Sequence, residues 1–317
     1  MENLTHTLTG LMLSRAGLNK NLPRASLLLM MAANAPDVDV ATAIGGAGTY
    51  FSYHRGITHA LLAMPGVAVL PVLVMRYIFR QKVPWLQAWL VSLIGVASHL
   101  ALDYTNAYGI RLLLPFNSTF PGLDITSILD VWIWAVLLLA VSAPAISRLV
   151  SSEIGAKKTS GRGWAIFALL FLPVYNTGRY FLHERVIEVQ QARVYEGLAP
   201  RKVLAFPTHL NPLAWRGYVE TEQFWAVNTV NLTREFDPTT GRLFFKPEPS
   251  AALEAARRTP VFQHFHTFSK APLCRTGPAE DPPEHTEVEC RDLRFGFAVT
   301  AIVDEGMRVQ RAWFHFN

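Results

Sequence analysis

Charge is scarce in this chain. Asp, Glu, Lys and Arg make up 17% of its 317 residues, where a soluble domain carries about 25%. The deficit lies almost wholly in residues 1–182, which contain long uncharged runs, while residues 183–317 have ordinary soluble composition. One uniformly soluble globule is thereby excluded, and length and composition together divide the chain into 1–182 and 183–317. Cysteine is equally scarce. Cys274 and Cys290 both fall in the second part, which excludes a disulfide scaffold or zinc knuckle and leaves at most one optional disulfide. The N-terminus MENLTHTLTG lacks the basic and long apolar regions of a cleavable signal peptide. There is no internal repeat and no low-complexity tract. The formal charge of +5 is not laid out for nucleic acid: the basic residues of the first part sit between apolar runs, as in a membrane protein.

What is present is hydrophobic length. A helix needs about 20 mostly apolar residues to cross the hydrocarbon layer. Four stretches approach this, at 60–79, 83–102, 128–147 and 163–182. Pro65, Pro71, Pro144 and Pro173 fall inside them, which membrane helices tolerate better than soluble ones. The apolar stretches at 4–15 and 25–35 are too short to span and predict a short helical pair. The fold expected is a mainly α-helical integral membrane domain of about four spans plus that pair, followed by an α+β soluble domain. In the second part, 184–196 predicts a helix, FDPTTGRLFFK a turn and strand, and Asp304-Glu305-Gly306 a hairpin between two strands. The proline-rich stretch 270–287 predicts a loop, and the HFH alternation of His264 and His266 follows a strand period.

Basic residues in short loops set orientation. Arg15, Lys20 and Arg24, then Arg76, Arg80 and Lys82, then Arg148, Lys157, Lys158 and Arg162 mark three cytoplasmic segments. The loops 37–59 and 104–130 hold only Arg55 and Arg111, and are expected on the outer side together with everything after residue 182. The chain is thus expected as a multi-pass membrane protein with an extracytoplasmic tail, where a disulfide is permitted.

The metal-capable residues of the first part fall on that outer side. His6 opens the first short helix, Asp37 and Asp39 end the second, and His54 and His59 precede the first long run. His99 and Asp103 are four residues apart near the end of a span, on one helix face. Ionisable groups in or near a span are expensive and usually functional, although a His–Asp bond that only locks helices together is the plainer alternative. Imidazole with carboxylate suits a divalent transition metal such as Zn or Mn. Seven donors are too many for one catalytic zinc and suit two ions. Asp37 and Asp39 are expected as bridging and terminal carboxylates, and Arg55 as a bidentate clamp on an anionic oxygen. Arg111, Arg179, His183 and Glu184 are weaker candidates for the site and read better as interfacial anchors or helix-end pairs. His264, His266 and His285 are a further, less favoured metal set.

The blocks THTLTG, ANAPDVD, HRGITHA and SHLALDYTNAYG resemble, in the same order, the bacterial inner-membrane proteins described as membrane-bound, metal-dependent hydrolases. The resemblance covers about residues 1–120. It implies His6, Asp37, Asp39, His54, His59, His99 and Asp103 as metal ligands. In ligand type alone the set is also similar to zinc-dependent phospholipase C. The activity expected is hydrolysis of a phosphoester or lipid-linked substrate at the outer face of the bilayer, with Asp39 and Arg55 in catalytic roles. The alternative is a non-catalytic membrane scaffold with a structural metal and a protein-binding tail. A metal transporter fits less well, because the inner halves of the spans carry no polar path.

Overall fold

The structure is a computed structural model and describes residues 1–154 and 161–316; Lys157 and Lys158 of the third basic segment lie outside these residues. The short helical pair forms as expected. Helix α1 (Asn3–Leu13) starts where the Glu2 carboxylate caps the amides of Leu4 and Thr5. It ends in a widened, π-type turn (Ser14–Leu18) that contains Gly17, whose φ is 146°. Helix α2 (Ala25–Ala32) returns against it. A Cβ on Gly10 would stand 2.5 Å from the Leu29 carbonyl oxygen, so only glycine lets α1 approach this closely.

A 3-10 stretch (Ala35–Gly45), α3 (Ala47–Tyr53) and a short turn (Ile57–His59) follow. The run at 60–79, read from sequence as one span, is broken into α4 (Met64–Val67), α5 (Val69–Leu73) and a π-type turn. Met64–Ile78 lies at 93° to Ala47–His59. Pro71 has no amide hydrogen to give to Val67, which is where the helix breaks. Helix α6 (Trp85–Thr105) is continuous and packs on α2, its Gly95 facing Ala32 at 2.6 Å from a built Cβ. Helix α7 (Val131–Ile154) is capped by Asp130, which accepts from the amides of Trp132 and Ile133 and from the Tyr175 hydroxyl. Helix α8 (Arg162–Gln191) completes the helical part. Among the described residues α6 and α8 are long and apolar enough to cross a membrane; with each bent pair counted as one span there are up to four. The apolar part of α7, Val131–Ser147, is shorter.

The helix expected at 184–196 is the continuation of α8, which carries Val186 out of the apolar layer and into the core of the first sheet. That sheet runs β1 (Lys202–Pro207), β2 (Ala214–Glu220), β3 (Phe224–Asn231) and β4 (Arg242–Phe245), antiparallel and in chain order. Helices α9 (Ala251–Arg257) and α10 (Pro260–Phe268) connect it to a second antiparallel sheet of β5 (Pro272–Pro278), β6 (Thr286–Asp292), β7 (Phe297–Val303) and β8 (Val309–Phe316). The hairpin expected around Asp304 is β7–β8. Two expectations are corrected here. Residues 270–287 are not simply a loop, because β5 is an edge strand and its prolines, at its first and last positions, leave no ladder bond unmade. His264 and His266 lie on α10 rather than on a strand, since Pro260 at the first helical position and Thr259 before it start a helix there.

Cys274 and Cys290 face each other across β5 and β6 and form a disulfide. The bond closes a 16-residue separation, worth about 3 kcal/mol by chain entropy. Reduction is therefore expected to lower the thermal midpoint of the tail by several degrees, measured by scanning calorimetry with and without reductant; an unchanged midpoint would assign the bond no stabilising role.

The second sheet and α10 seat on the loops of the helical part. Phe51 of α3 stacks on Phe314 with ring centroids 4.0 Å apart and meets Phe268 edge-on at 5.3 Å. Lys270 binds both Asp124 oxygens at 2.7 Å. His264 Nε2 lies 3.0 Å from the Phe51 carbonyl and 2.8 Å from Arg111. Burial, and then the Arg111 charge, lower the His264 pKa to about 4. The unfolded chain thus binds a proton between about pH 6.5 and 4 that the folded chain refuses, so stability is full above that window and falls on acidification through it. The variant His264→Gln is expected to flatten this loss, read as the thermal midpoint from pH 7 to 4.5. An identical pH slope in the variant would move the effect to another group.

Candidate metal centre

The last two turns of α6 bring His99 and Asp103 to one wall, both with no exposure. His99 Nδ1 lies 2.7 Å from the Ala33 carbonyl at the end of α2. A carbonyl only accepts, so Nδ1 carries the hydrogen and Nε2 is left as a lone pair facing inward. His59 is held from the opposite side. Its Nδ1 lies 3.4 Å from Asp39 Oδ2, and that oxygen also accepts from the Arg55 amide at 2.7 Å and the Thr58 hydroxyl at 3.1 Å. His59 Nε2 then meets His99 Nε2 at 3.2 Å. The His59 Nδ1 also lies 3.1 Å from the Thr58 hydroxyl; with the hydrogen on His59 Nε2 the two rings share it as a hydrogen bond, and with it on Nδ1 their two lone pairs face one another and suit a cation between them.

Carboxylate oxygens complete the space. Asp37 Oδ1 is 3.5 Å from His59 Nε2 and 3.6 Å from His99 Nε2. Asp103 Oδ2 is 3.7 Å from the first and 3.6 Å from the second. Metal–ligand bonds of about 2.0–2.1 Å in a tetrahedron imply ligand separations of roughly 3.3 Å, close to these values. His6 stacks on His99 with centroids 3.8 Å apart and points Nε2 at Asp103 Oδ1 from 3.3 Å. Both its ring nitrogens are buried without a hydrogen-bond partner, a costly state for an imidazole unless a ligand takes one of them. Two sets, Asp37–His59–His99 and His6–His99–Asp103, each have donor atoms within 4.8 Å of one another. Asp103 is the one group whose two oxygens address both sides. The residues present therefore fit a divalent ion chemically.

The other two expected ligands stand one layer back. Asp39 is occupied by protein donors: His54 Nδ1 at 3.0 Å on Oδ1, and the Arg55 amide, Thr58 and His59 on Oδ2. His54 stacks on Tyr50 and lies 6.4 Å, centroid to centroid, from His59. Arg55 is buried and directed at protein acceptors, with NH2 3.0 Å from Asp103 Oδ2 and NH1 3.3 Å from both Asn106 Oδ1 and the Gly109 carbonyl. Its guanidinium also covers the Tyr108 ring at 4.6 Å. In this arrangement it addresses Asp103 rather than open space. The Met1 amino group also reaches Asp103 Oδ1.

The weaker candidates fall elsewhere. Arg111 joins His264 and covers Phe120 at 4.4 Å, while Arg179 binds the Ile125 carbonyl at 2.9 Å and covers Trp215 at 4.1 Å. Both fasten the tail to the helical part. His183 pairs with its neighbour Glu184 at 3.3 Å. His266 lies near Cys274 and Cys290, but the disulfide removes those thiolates as ligands. Sequence reasoning passed over Thr58, Asn106 and the Ala33 carbonyl, which orient the donors without being metal-capable side chains themselves; Asn106 had a signal, three residues beyond Asp103 at the end of the same helix.

Comparison with known proteins agrees in location. Residues 1–186 match the family described as YdjM inner membrane protein. A protein of Bacillus subtilis (strain 168) described as "Uncharacterized protein YfhP" is 27% identical over 152 residues, covering 45% of this chain and 46% of that protein. The matched stretch is thus about half of the relative's length. No solved structure matches significantly. The family description names a membrane and no reaction. With more than half of the chain matched, all of its candidate metal donors included, the protein belongs to the YdjM inner membrane protein family.

Proposed function

We propose that this protein is a membrane-bound, metal-dependent hydrolase acting on a phosphoester or lipid-linked substrate at the outer face of the inner membrane. The observation that carries the reading is the convergence of the His59 and His99 Nε2 atoms, 3.2 Å apart, with Asp37, Asp103 and a His6 whose ring nitrogens have no hydrogen-bond partner. Asp37, His59, His99 and Asp103 Oδ2 would hold one ion, and His6 with Asp103 Oδ1 would begin a second position; Zn and Mn both suit these donors. Such an ion supplies a water acidic enough to ionise near pH 7 and polarises a phosphoryl oxygen.

The protein's own groups do the rest. Asp39 fixes the tautomer and aim of His59, as carboxylates behind metal-bound histidines do. Arg55 offsets the negative charge of Asp103. His54, anchored through Nδ1, keeps Nε2 for moving a proton at the mouth; this is a different role from the ligand expected from its position. The mouth lies on the side of Asp37 and His54, whose side chains retain 14% and 16% exposure while His6, His59, His99 and Asp103 have none. Val38, Val40, Ile44, Tyr53, Ile57 and Leu61 are exposed around it. An apolar rim beside a polar pocket suits an amphipathic substrate presented by the bilayer.

The test is metal analysis of protein purified in detergent, followed by a screen of phosphomonoesters, phosphodiesters and lipid phosphates with added Zn or Mn. One to two equivalents of metal and cleavage of at least one ester are expected; protein without bound metal would end the proposal. A scaffold with a structural metal is the second reading, favoured by the complete burial of His6, His59, His99 and Asp103. It prevails if metal binds tightly and no ester is cleaved. Orientation is tested by single cysteines. Lys82→Cys is expected to resist impermeant maleimide in intact cells and Glu284→Cys to react; the reverse pattern would invert the topology.

A further inference from the structure

Beside Ala107 lies a second concave region, whose lining includes none of the metal donors and which the proposed reaction does not use. Two cavities of about 610 and 520 Å³ meet there along one face of the first sheet, sharing Arg216, Tyr218 and Thr229. The register explains the grouping. Arg216 of β2 stands opposite Thr229 of β3, and Arg242 of β4 stands opposite Val227 of β3. Arg216 and Arg242 therefore project from the same face on either side of β3, their backbones roughly 12 Å apart across two strand spacings and two residues along. Arg294 lines the smaller cavity, but its charge is taken by Asp292 at 2.8 Å. Among the described residues no Asp or Glu lines either cavity, and neither Arg216 nor Arg242 belongs to an ion pair.

The smaller cavity differs in character at its other end. Phe206, Phe295, Ile128 and Ala107 make that wall apolar, and Ser127 hydrogen-bonds to His209 at 2.7 Å at its edge. That edge adjoins α7, where the Trp132 indole donates to the Leu210 carbonyl at 3.1 Å and Leu210 is 74% exposed. Trp with an exposed Leu at the start of an apolar helix is the composition of a membrane–water boundary. The region thus combines two uncompensated guanidinium groups with an apolar slot that opens toward the bilayer surface.

We infer that this groove is a metal-independent binding site for a phosphate-bearing amphiphile: Arg216 and Arg242 take the anionic head and the Phe206–Phe295 slot takes the apolar arm. Guanidinium groups match phosphate oxygens in fork geometry, and the absence of neighbouring carboxylates leaves the field uniformly positive. The inference stands apart from the proposed hydrolysis and needs no metal.

The experiment uses the full chain in detergent, stripped of metal with EDTA. Binding of dihexanoyl phosphatidic acid, glycerol 3-phosphate and dihexanoyl phosphatidylcholine is measured by calorimetry for the wild type, Arg216→Gln, Arg242→Gln and the double variant. Both arginines are exposed, so the variants should keep the wild-type thermal midpoint and metal content. Phosphatidic acid is expected to bind at least tenfold more tightly than the zwitterionic lipid, with a further tenfold or greater loss in the double variant. Tight binding of glycerol 3-phosphate, lost in the same variant, supports the anion site and identifies a soluble phosphate as the source. Equal affinity for both lipids, affinity unchanged in the double variant, or no binding of either phosphate overturns the inference. Because metal is absent throughout, none of these results depends on hydrolysis.

Discussion

His59→Ala should reduce bound transition metal from one or two equivalents to less than about a tenth, and Asp103→Ala should do the same. The two variants reach that result by different routes. Asp103 faces Arg55 at 3.0 Å and the Met1 amino group, with no exposure. Its removal strands a buried guanidinium as well as a metal donor, a destabilisation of about 3–5 kcal/mol. Removal of His59 leaves a cavity, takes away one metal donor and costs Asp39 one partner, but Asp39 keeps His54, the Arg55 amide and Thr58, so no charge is left unpaired. Metal content by mass spectrometry, read beside the thermal midpoint, separates the two effects. A His59→Ala protein that folds, elutes as the wild type does and retains its full metal complement would dismantle the site.

The candidate site was largely legible in the sequence because its chemistry is carried by residue types that membrane segments avoid. His99 and Asp103, four apart in an otherwise apolar helix, could be placed on one face without knowing the fold. The division of labour was not legible. Asp37 and Asp39 look equivalent in APDVD, yet the 3-10 path of that segment turns Asp37 toward His59 and His99 and Asp39 toward four donors, from His54, Arg55, Thr58 and His59. Nothing local in the sequence distinguishes them. Arg55 looked free to hold substrate because its partners, Asp103, Asn106 and Gly109, are some fifty residues away. The helical part shows the same division. The extent of α6 followed from hydropathy, but α8 runs on past the expected 163–182 to Gln191 because its last turns pack on the first sheet, and the break at 60–79 depends on how Pro71 is accommodated by α2 and α6, which is a packing outcome. In the tail, Pro272 and Pro278 argue against a strand until its place at the sheet edge is known.

Gly10→Ala carries the other large expected effect, and it acts on the centre from a distance. A methyl group there would lie 2.5 Å from the Leu29 carbonyl oxygen and 2.8 Å from its carbon. Both are backbone atoms, so no side-chain rotation relieves the clash and α1 and α2 must move apart. Overpacking of this kind costs about 1–3 kcal/mol. The two helices each hold a part of the metal centre: α1 presents His6, and the end of α2 fixes His99 through the Ala33 carbonyl at 2.7 Å. Separation by even a few tenths of an ångström pulls these supports in opposite directions. Metal affinity is expected to fall about 10–100-fold, the range seen when groups behind metal ligands are lost, in a variant that retains all seven candidate donors. Competition with a chelator of known affinity measures it. Gly48→Ala in α3, where a Cβ meets nothing within 4 Å, is the matched control and should leave affinity unchanged and stability equal or slightly raised. If Gly10→Ala binds metal as tightly as that control, then the α1–α2 contact does not position His6 and His99, and the second side of the proposed centre loses its support.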